Sequence, residues 1–392
     1  MKLDLRNYGR IAQAAVTRRV PVYAHFGITH RCDLTCKMCG IWRYGNKKEE
    51  LSVEQIQEVA ARMRRMGVVQ VSIGGGEPFA YEELELAAKA FVDQGLNLRV
   101  LTNAVNVPKE RFDRSLSYGV KNFSVSLDSL YPARFDYICE QEGSWDSAVG
   151  NMVYLADKLR GQGGLQVINC VVSNLNLEEL PDMVRFAKEI GFAISFLPVE
   201  LLNTSKDGVK NWEARFIRHR PEMGMAAGPQ EDVAGRIDRV YDSLVRLKAE
   251  GWPILNSTPY LNSSRTYLKT GRFPSEGCDA GALYFSISPN GQFTICHRTS
   301  HSYKHFLDPG FEEFFKSKEY EYARMMEAGS CEGCMRACWI DTSSMFRTVQ
   351  GFFETARLNL IPSTGEPADE RTARSWARYD EVDIVPGQAT AK

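Results

Sequence analysis

The stretch HRCDLTCKMCGIW, residues 30–42, holds Cys32, Cys36 and Cys39 at the spacing Cx3Cx2C. Thiolates are soft ligands that suit iron–sulfur clusters and zinc. A [4Fe–4S] cluster usually takes four of them. Three leave one iron open to a substrate or cofactor, by the logic that keeps a catalytic zinc site open. A second group, Cys278, Cys296, Cys331, Cys334 and Cys338, opens as Cys278-x12-Gly291-x4-Cys296 and closes as Cys331-x2-Cys334-x3-Cys338. Eight of the ten cysteines fall in these two groups, a clustering that buried structural thiols do not give by chance. In a reducing compartment they read as metal ligands or free thiols rather than disulfides.

Something must position the first triad. From about residue 22 to 200 one unit repeats, a short β-branched run followed by a longer amphipathic stretch. Strands are expected at 23–29, 69–73, 98–102, 122–127, 165–172 and 193–199, with helices at about 52–66, 82–94, 108–117, 146–160, 177–190 and 231–250. Ser52, with Gln55 three positions on, caps the first of these helices. Gly67, Gly95, Gly119 and Gly191 stand where C-cap glycines belong. Alternating strands and helices give a parallel α/β fold with right-handed crossovers. Six strands suit a partial (β/α)6 TIM-like barrel; a doubly wound open sheet is the alternative.

Barrel active sites sit at the carboxyl ends of the strands. The triad follows the first strand and GGGEP (Gly74, Gly75, Gly76, Glu77, Pro78) the second. Thr102 and Asn103 follow the third, Ser126 and Asp128 end the fourth, Ser173 and Asn174 follow the fifth, and Pro198 and Glu200 the sixth. All converge on one rim. A glycine-rich turn lets the backbone approach a charged ligand. Ser126 and Asp128 alternate along a strand and so share a face, a hydroxyl and a carboxylate suited to ribose hydroxyls.

Cx3Cx2C after the first strand with GGEP after the second resembles the radical S-adenosylmethionine (radical SAM) enzymes, over about residues 22–200. The resemblance implies that Cys32, Cys36 and Cys39 bind a [4Fe–4S] cluster whose open iron takes the amino and carboxylate groups of S-adenosylmethionine. It places Gly74–Glu77 around the methionine amino group and Ser126 and Asp128 at the ribose. Reductive cleavage would give methionine and a 5′-deoxyadenosyl radical that takes hydrogen from substrate. An electron donor such as flavodoxin or ferredoxin is implied as a partner. Where the family often has an aromatic residue before the third cysteine, this chain has Met38, which can still pack on a cluster.

The second cysteine group resembles the auxiliary-cluster domains of these enzymes, SPASM with two clusters and twitch with one. Five cysteines, with none after Cys338, suit one auxiliary [4Fe–4S] cluster held by Cys278, Cys296, Cys331 and Cys334, with Cys338 competing for a place. A zinc knuckle for the first group, and structural zinc for the second, are the alternatives.

The expected organisation is an N-terminal helix over 1–21, a barrel over 22–252 with a polar loop or lid at 203–230, a small cysteine-rich domain over 253–344 held by metal more than by a core, and a C-terminal helix and polar tail over 345–392. His297, His301 and His305 read as a solvated turn, and Cys139 and Cys170 as packed thiols. Catalytic acid or base residues are unassigned, with Glu200 and Tyr260 candidates by position alone. Near-zero net charge (48 basic, 49 acidic residues) gives no reason to invoke nucleic acid. No signal peptide or membrane span is evident, so a cytoplasmic enzyme is expected. The expected activity is hydrogen abstraction from a small biosynthetic intermediate, for dehydrogenation or C–H tailoring. Alternatives are a peptide-modifying maturase, disfavoured by the short stretch before the barrel, and a lipid-modifying enzyme, suggested by the apolar stripe Met345, Phe346, Val349, Phe352, Phe353 and Ala356, for which membrane contact is the lesser reading. A non-catalytic iron–sulfur or zinc scaffold is the rival from another class.

Overall fold

A computed structural model describes residues 5–199, 232–273, 278–296, 303–331, 333–358 and 369–379. Glu200, the 203–230 segment, His297 and His301 lie outside the described residues, as does the side chain of Cys338.

The six expected strands form at β1 (Tyr23–Thr29), β2 (Gln70–Gly75), β3 (Asn97–Thr102), β4 (Asn122–Ser126), β5 (Val167–Val172) and β6 (Ala193–Pro198). Between and around them run α1 (Leu5–Thr17), α2 (Val53–Met66), α3 (Leu84–Asp93), α4 (Lys109–Ser117), α5 (Pro132–Cys139), α6 (Ser144–Lys158), α7 (Leu180–Glu189), α8 (Val233–Ala249) and α9 (Thr258–Thr270). The strands are parallel and lie in unbroken sequence order, β6-β5-β4-β3-β2-β1. A doubly wound sheet reverses its order at a switch point. This one does not, and the partial barrel is the fold.

Local signals act as their chemistry dictates. Ser52 and Gln55 complete a reciprocal capping box on α2, and Gly67 ends it in the left-handed region at φ 111°. On the outer face, Phe26 packs on Phe91, and Phe112 meets Phe79 and Phe123 edge-on. Each fully buried ring of this kind contributes about 2–3 kcal/mol. The other face turns polar residues inward: Arg99 on β3 donates to Ser124 Oγ on β4 at 3.0 Å, and the ring of His25 on β1 lies against Gly74. At the opposite end of the strands, α1 is held by Arg64 Nη1 donating to Asn7 Oδ1 at 2.7 Å.

The sheet does not stop at β1. A strand from the C-terminal part, β7 (Tyr284–Ile287), pairs parallel with β1 in register Tyr23↔Tyr284 to Phe26↔Ile287, and β8 (Phe293–Thr294) pairs antiparallel with β7. The cysteine-rich region also has an aromatic core, in which Phe293 packs against Phe285, Phe311, Phe315 and Tyr320. Metal is therefore one of two things available to hold it. The helices α10 (Phe311–Lys316), α11 (Lys318–Ser330), α12 (Ala337–Arg347), α13 (Val349–Leu358) and α14 (Glu370–Arg374) complete the described chain.

Three local expectations change. The single helix expected from residue 345 is two, because the chain leaves helical geometry at Thr348 (φ −127°, ψ 141°). The apolar stripe is split with it, and Val349 and Phe353 are exposed. Asp128 lies beyond the end of β4, so the strand alternation that would align it with Ser126 does not extend to it. No described helix is long and apolar enough to cross a membrane.

Candidate active site

The cysteine loop and the glycine turn are joined through their backbones. β1 carries a bulge between Gly27 and Thr29, which redirects the chain as it enters the loop. Gly76 N–H then donates to Thr29 O at 2.7 Å and Glu77 N–H to Arg31 O at 2.9 Å. A Cβ at Gly75 would lie 2.1 Å from Thr29 O, and one at Gly76 2.1 Å from Arg31 O. Both positions need glycine, and Gly75, at φ 121°, needs it twice over. Gly74 is confined by the His25 ring, 2.8 Å from where its Cβ would sit.

Glu77 faces inward from this turn. Its carboxylate accepts from Asn103 N at 2.7 Å, Thr102 Oγ1 at 2.8 Å and Phe79 N at 3.1 Å. Burial raises its pKa to about 7, against the pull of those donors. The side chain of Asn103 continues the chain of contacts, donating through Nδ2 to Asp33 Oδ1 at 2.9 Å and lying 4.0 Å from Cys32 Sγ. The ends of β1, β2 and β3 are thus one connected surface.

The three thiols emerge from it free of disulfides. Burial pushes Cys32 up to about 12 and raises Cys39, so iron binding there must release protons. Among the described residues no three cysteine, histidine or carboxylate side chains converge tightly enough for a single metal ion. The all-thiolate donor set and the glycine cradle beside it fit a cluster with one open iron.

The remaining rim residues divide. Ser126 ends β4 half-buried, and Asn174 is likewise half-buried. Asp128 is buried and its Oδ1 accepts Val171 N–H at 2.7 Å; burial raises its pKa to about 7. Ser173 is fully buried and donates its N–H to Asn176 Oδ1, and Pro198 is buried at the end of β6. Asn176, not anticipated, ties the rim through its Nδ2 to Asp128 O at 2.6 Å and Val171 O at 2.8 Å. Glu179, also unanticipated, accepts from Ser129 Oγ, Leu130 N–H and Arg134 and so fixes the segment entering α5. Two residues that close a loop by capping its backbone carry no spacing signal, and a sequence scan for ligands passes over them.

In the second group, Cys278 Sγ is 3.1 Å from Tyr284 Oη, and Cys331 Sγ accepts Gly333 N–H at 3.4 Å. Arg347 forks onto Asp279, both contacts at 2.7 Å, fastening the end of α12 beside Cys278. Tyr260 is fully buried, and its hydroxyl donates to Met335 O at 2.7 Å. It anchors the segment that follows Cys334, so its hydroxyl proton is engaged in a structural contact. His305 bonds Asn290 O at 2.7 Å across the β7–β8 turn, a structural contact in which its ring also excludes any side chain at Gly291. Arg336, between Cys334 and Cys338 in the chain, acts through its charge on His25 and on Cys39. Burial, with that charge, holds His25 down to about 3.

Residues 26–187 match the Radical SAM superfamily, and this part of the chain is a radical SAM domain. GTP 3′,8-cyclase 1 of Mycobacterium tuberculosis is 29% identical over 210 residues, 51% of this chain and 57% of that protein. The chain thus spans little more than half the length of that relative. PqqA peptide cyclase of Rhodopseudomonas palustris is 24% identical over 297 residues, 75% of this chain and 71% of that protein. The crystal structure of Streptococcus suis SuiB bound to S-adenosylmethionine matches with a TM-score of 0.56 at 16% identity, covering 81% of this chain and 71% of that one, a likeness of fold. The superfamily implies a [4Fe–4S] cluster and S-adenosylmethionine.

Proposed function

We propose that Cys32, Cys36 and Cys39 hold the [4Fe–4S] cluster and that the Gly74–Glu77 turn receives S-adenosylmethionine beside it. The observation that carries this is the backbone junction of the two motifs, Gly76 to Thr29 and Glu77 to Arg31. When bound, the pair supplies a 5′-deoxyadenosyl radical by one-electron reductive cleavage, and that radical takes a hydrogen atom from an unactivated carbon. The protein's part is positional. Glu77, anchored by Thr102 and Asn103, sets the turn; Ser126, at the open end of β4, meets the ribose; Asp128 shapes the rim through Val171 instead of touching ligand. Asn103, Ser173, Asn174 and Pro198 line the same rim.

Cys278, Cys296, Cys331 and Cys334 hold one auxiliary [4Fe–4S] cluster in this reading. Electrons arrive from a donor of the flavodoxin or ferredoxin kind. The substrate is a small polar intermediate, supported by the polar inner face of the barrel, where His25, Arg99 and Ser124 stand. A second reading, a peptide substrate, is favoured by the relatives: one is a peptide cyclase, and SuiB has also been solved bound to its precursor peptide SuiA.

The test is anaerobic. The reconstituted protein should carry about eight irons and, with dithionite and S-adenosylmethionine, form 5′-deoxyadenosine. Full iron loading without deoxyadenosine would sink the enzyme reading. Stimulation of deoxyadenosine formation by the small-molecule fraction or by the peptide fraction of the source cell decides between the substrates.

A further inference from the structure

Arg99 stands on the inner face of the barrel at the level of His25 and Ser72, because His25 pairs with Ser72 and Ser72 with Arg99. Residues that pair in a parallel sheet point to the same side. Ser124, Asn169 and Ser195 share this face through the pairs Leu101↔Ser124, Ser126↔Asn169 and Asn169↔Ser195. Along β3, β5 and β6 the residues of this face stay half-buried toward the rim, whereas those facing the helices are fully buried. No aspartate or glutamate stands on this face of β1 to β7, and Arg99 is its single cation. Its Nη1 donates to Ser124 Oγ at 3.0 Å and to Phe123 O at 3.3 Å. Among the described residues Nε and Nη2 have no hydrogen-bond partner, yet neither is closed off from solvent. No carboxylate among the described residues pairs with Arg99, whereas Arg111 pairs with Glu85, Arg134 with Glu179 and Arg347 with Asp279. Burial lowers its pKa to about 10, so it remains a cation at neutral pH. A cation taken from water without a counter-ion costs stability.

We propose that Arg99 anchors the substrate inside the barrel through an anionic group, a carboxylate or a phosphate. This deepens the substrate reading given above and rests on it. The open Nε and Nη2 form one edge of the guanidinium. By that same edge Arg31 forks onto Glu50 and Arg347 onto Asp279. The edge matches two oxygens of a carboxylate or phosphate. The bond from Nη1 to Ser124 fixes the plane of the group and leaves that edge for a ligand. Ser124 is two residues below Ser126 at the rim, about 7 Å along the strand. The anionic end of the substrate therefore lies beneath the rim, and the carbon that reacts is several bonds away from it. A pairing remote from the chemistry holds that carbon in place.

The experiment uses full-length protein, reconstituted anaerobically and treated with phenylglyoxal, which adds to guanidinium groups. Peptide mass spectrometry reads Arg99 separately from the exposed Arg160. Butyrate and inorganic phosphate are the probes, each compared with chloride at equal ionic strength. At about ten times a probe's dissociation constant, modification of Arg99 should slow about tenfold while that of Arg160 is unchanged. Protection by butyrate identifies a carboxylate and protection by phosphate a phosphate; protection by neither overturns the proposal. So does an Arg99 that stays unmodified in the ligand-free protein while Arg160 reacts, since a guanidinium closed to the reagent is closed to substrate. Arg99→Met separates anchoring from a merely structural role. It removes a cation that has no counter-ion, so the ligand-free variant should match or exceed the wild-type urea midpoint. The rise in midpoint that the probe gives the wild type should vanish. A lower midpoint that still rises with the probe would make Arg99 a brace between β3 and β4 and overturn the proposal. If the methionine variant does not fold, protection in the wild type decides alone. Loaded wild type that forms no deoxyadenosine overturns the function proposed above, whereas deoxyadenosine from a protein whose Arg99 neither probe protects overturns this proposal alone.

Discussion

The guanidinium of Arg31 forks onto the carboxylate of Glu50, Nε to Oε1 at 2.8 Å and Nη2 to Oε2 at 3.0 Å. Thr29 Oγ1 donates to the same carboxylate, which is almost fully buried. Arg31 precedes Cys32 and its carbonyl receives Glu77, so this one fork braces the loop against the glycine turn. Glu50→Ala leaves a charged donor pair without its acceptor, at a cost of about 2 kcal/mol. The expected outcome is a lower urea midpoint and poorer retention of cluster iron after gel filtration, with Glu50→Gln intermediate. Retention equal to wild type in the alanine variant would show that the loop holds itself.

Gly76→Ala forces a methyl group into the Arg31 carbonyl, which is backbone and cannot swing away. The loop or the turn must shift by about an ångström, and misplacement on that scale costs about a hundredfold in rate. Deoxyadenosine formation should fall by that order while the far-ultraviolet circular dichroism stays that of the wild type. A variant with full cleavage activity would contradict the close approach.

Asp128 makes stability depend on pH with a particular sign. Its folded pKa, raised by burial from 3.8 to about 7, exceeds its unfolded value. The native state therefore holds a proton that the unfolded state has lost between about pH 4 and 7, and stability falls as pH rises through that window. Asp128→Asn keeps the acceptor for Val171 N–H and removes the slope. Urea midpoints of the ligand-free protein should coincide for the two only below the unfolded pKa of 3.8 and increasingly favour the asparagine variant up to about pH 7.5, by at most about 4 kcal/mol since one pKa unit is about 1.4 kcal/mol. Glu77, also raised to about 7, contributes a parallel slope that remains in the variant.

The auxiliary site is open to a ligand count. Cys334→Ser should lose about four of the eight irons while uncoupled deoxyadenosine formation continues, whereas Cys338→Ser should keep them all. Tyr260→Phe, which deletes the bond to Met335 O, should lower auxiliary iron retention and leave cleavage unaltered. Loss of iron in Cys338→Ser with full retention in Cys334→Ser would exchange the two ligands.

Much of this was legible before any coordinates. Period-two and period-3.6 patterns located six strands and the helices between them, because both faces of a barrel wall must be sorted by polarity. The two motifs announced themselves because their chemistry demands residue types at fixed spacing. What escaped did so for physical reasons. β7 and β8 are four and two residues long, too short to show a period, and their place beside β1 depends on pairing across the whole chain. α5 is one short helix whose limits are set by Pro132 and by Glu140 in the left-handed region, not by a repeating apolar face. Asp128 sits where a strand would continue if residue type alone decided.

The pairing of β7 with β1 also has a consequence in time. On the ribosome β1 is made early, yet the strand that covers its outer edge emerges roughly 260 residues later, which at 5–20 residues per second is roughly 15–50 s. For that interval the nascent chain exposes an unpaired strand edge directly ahead of three cysteines, a site for aggregation or for premature metal capture. Cluster delivery is therefore expected to follow release of the finished chain, and truncation ahead of residue 284 should yield a sticky product that loads iron poorly even though every ligand of the first triad is present.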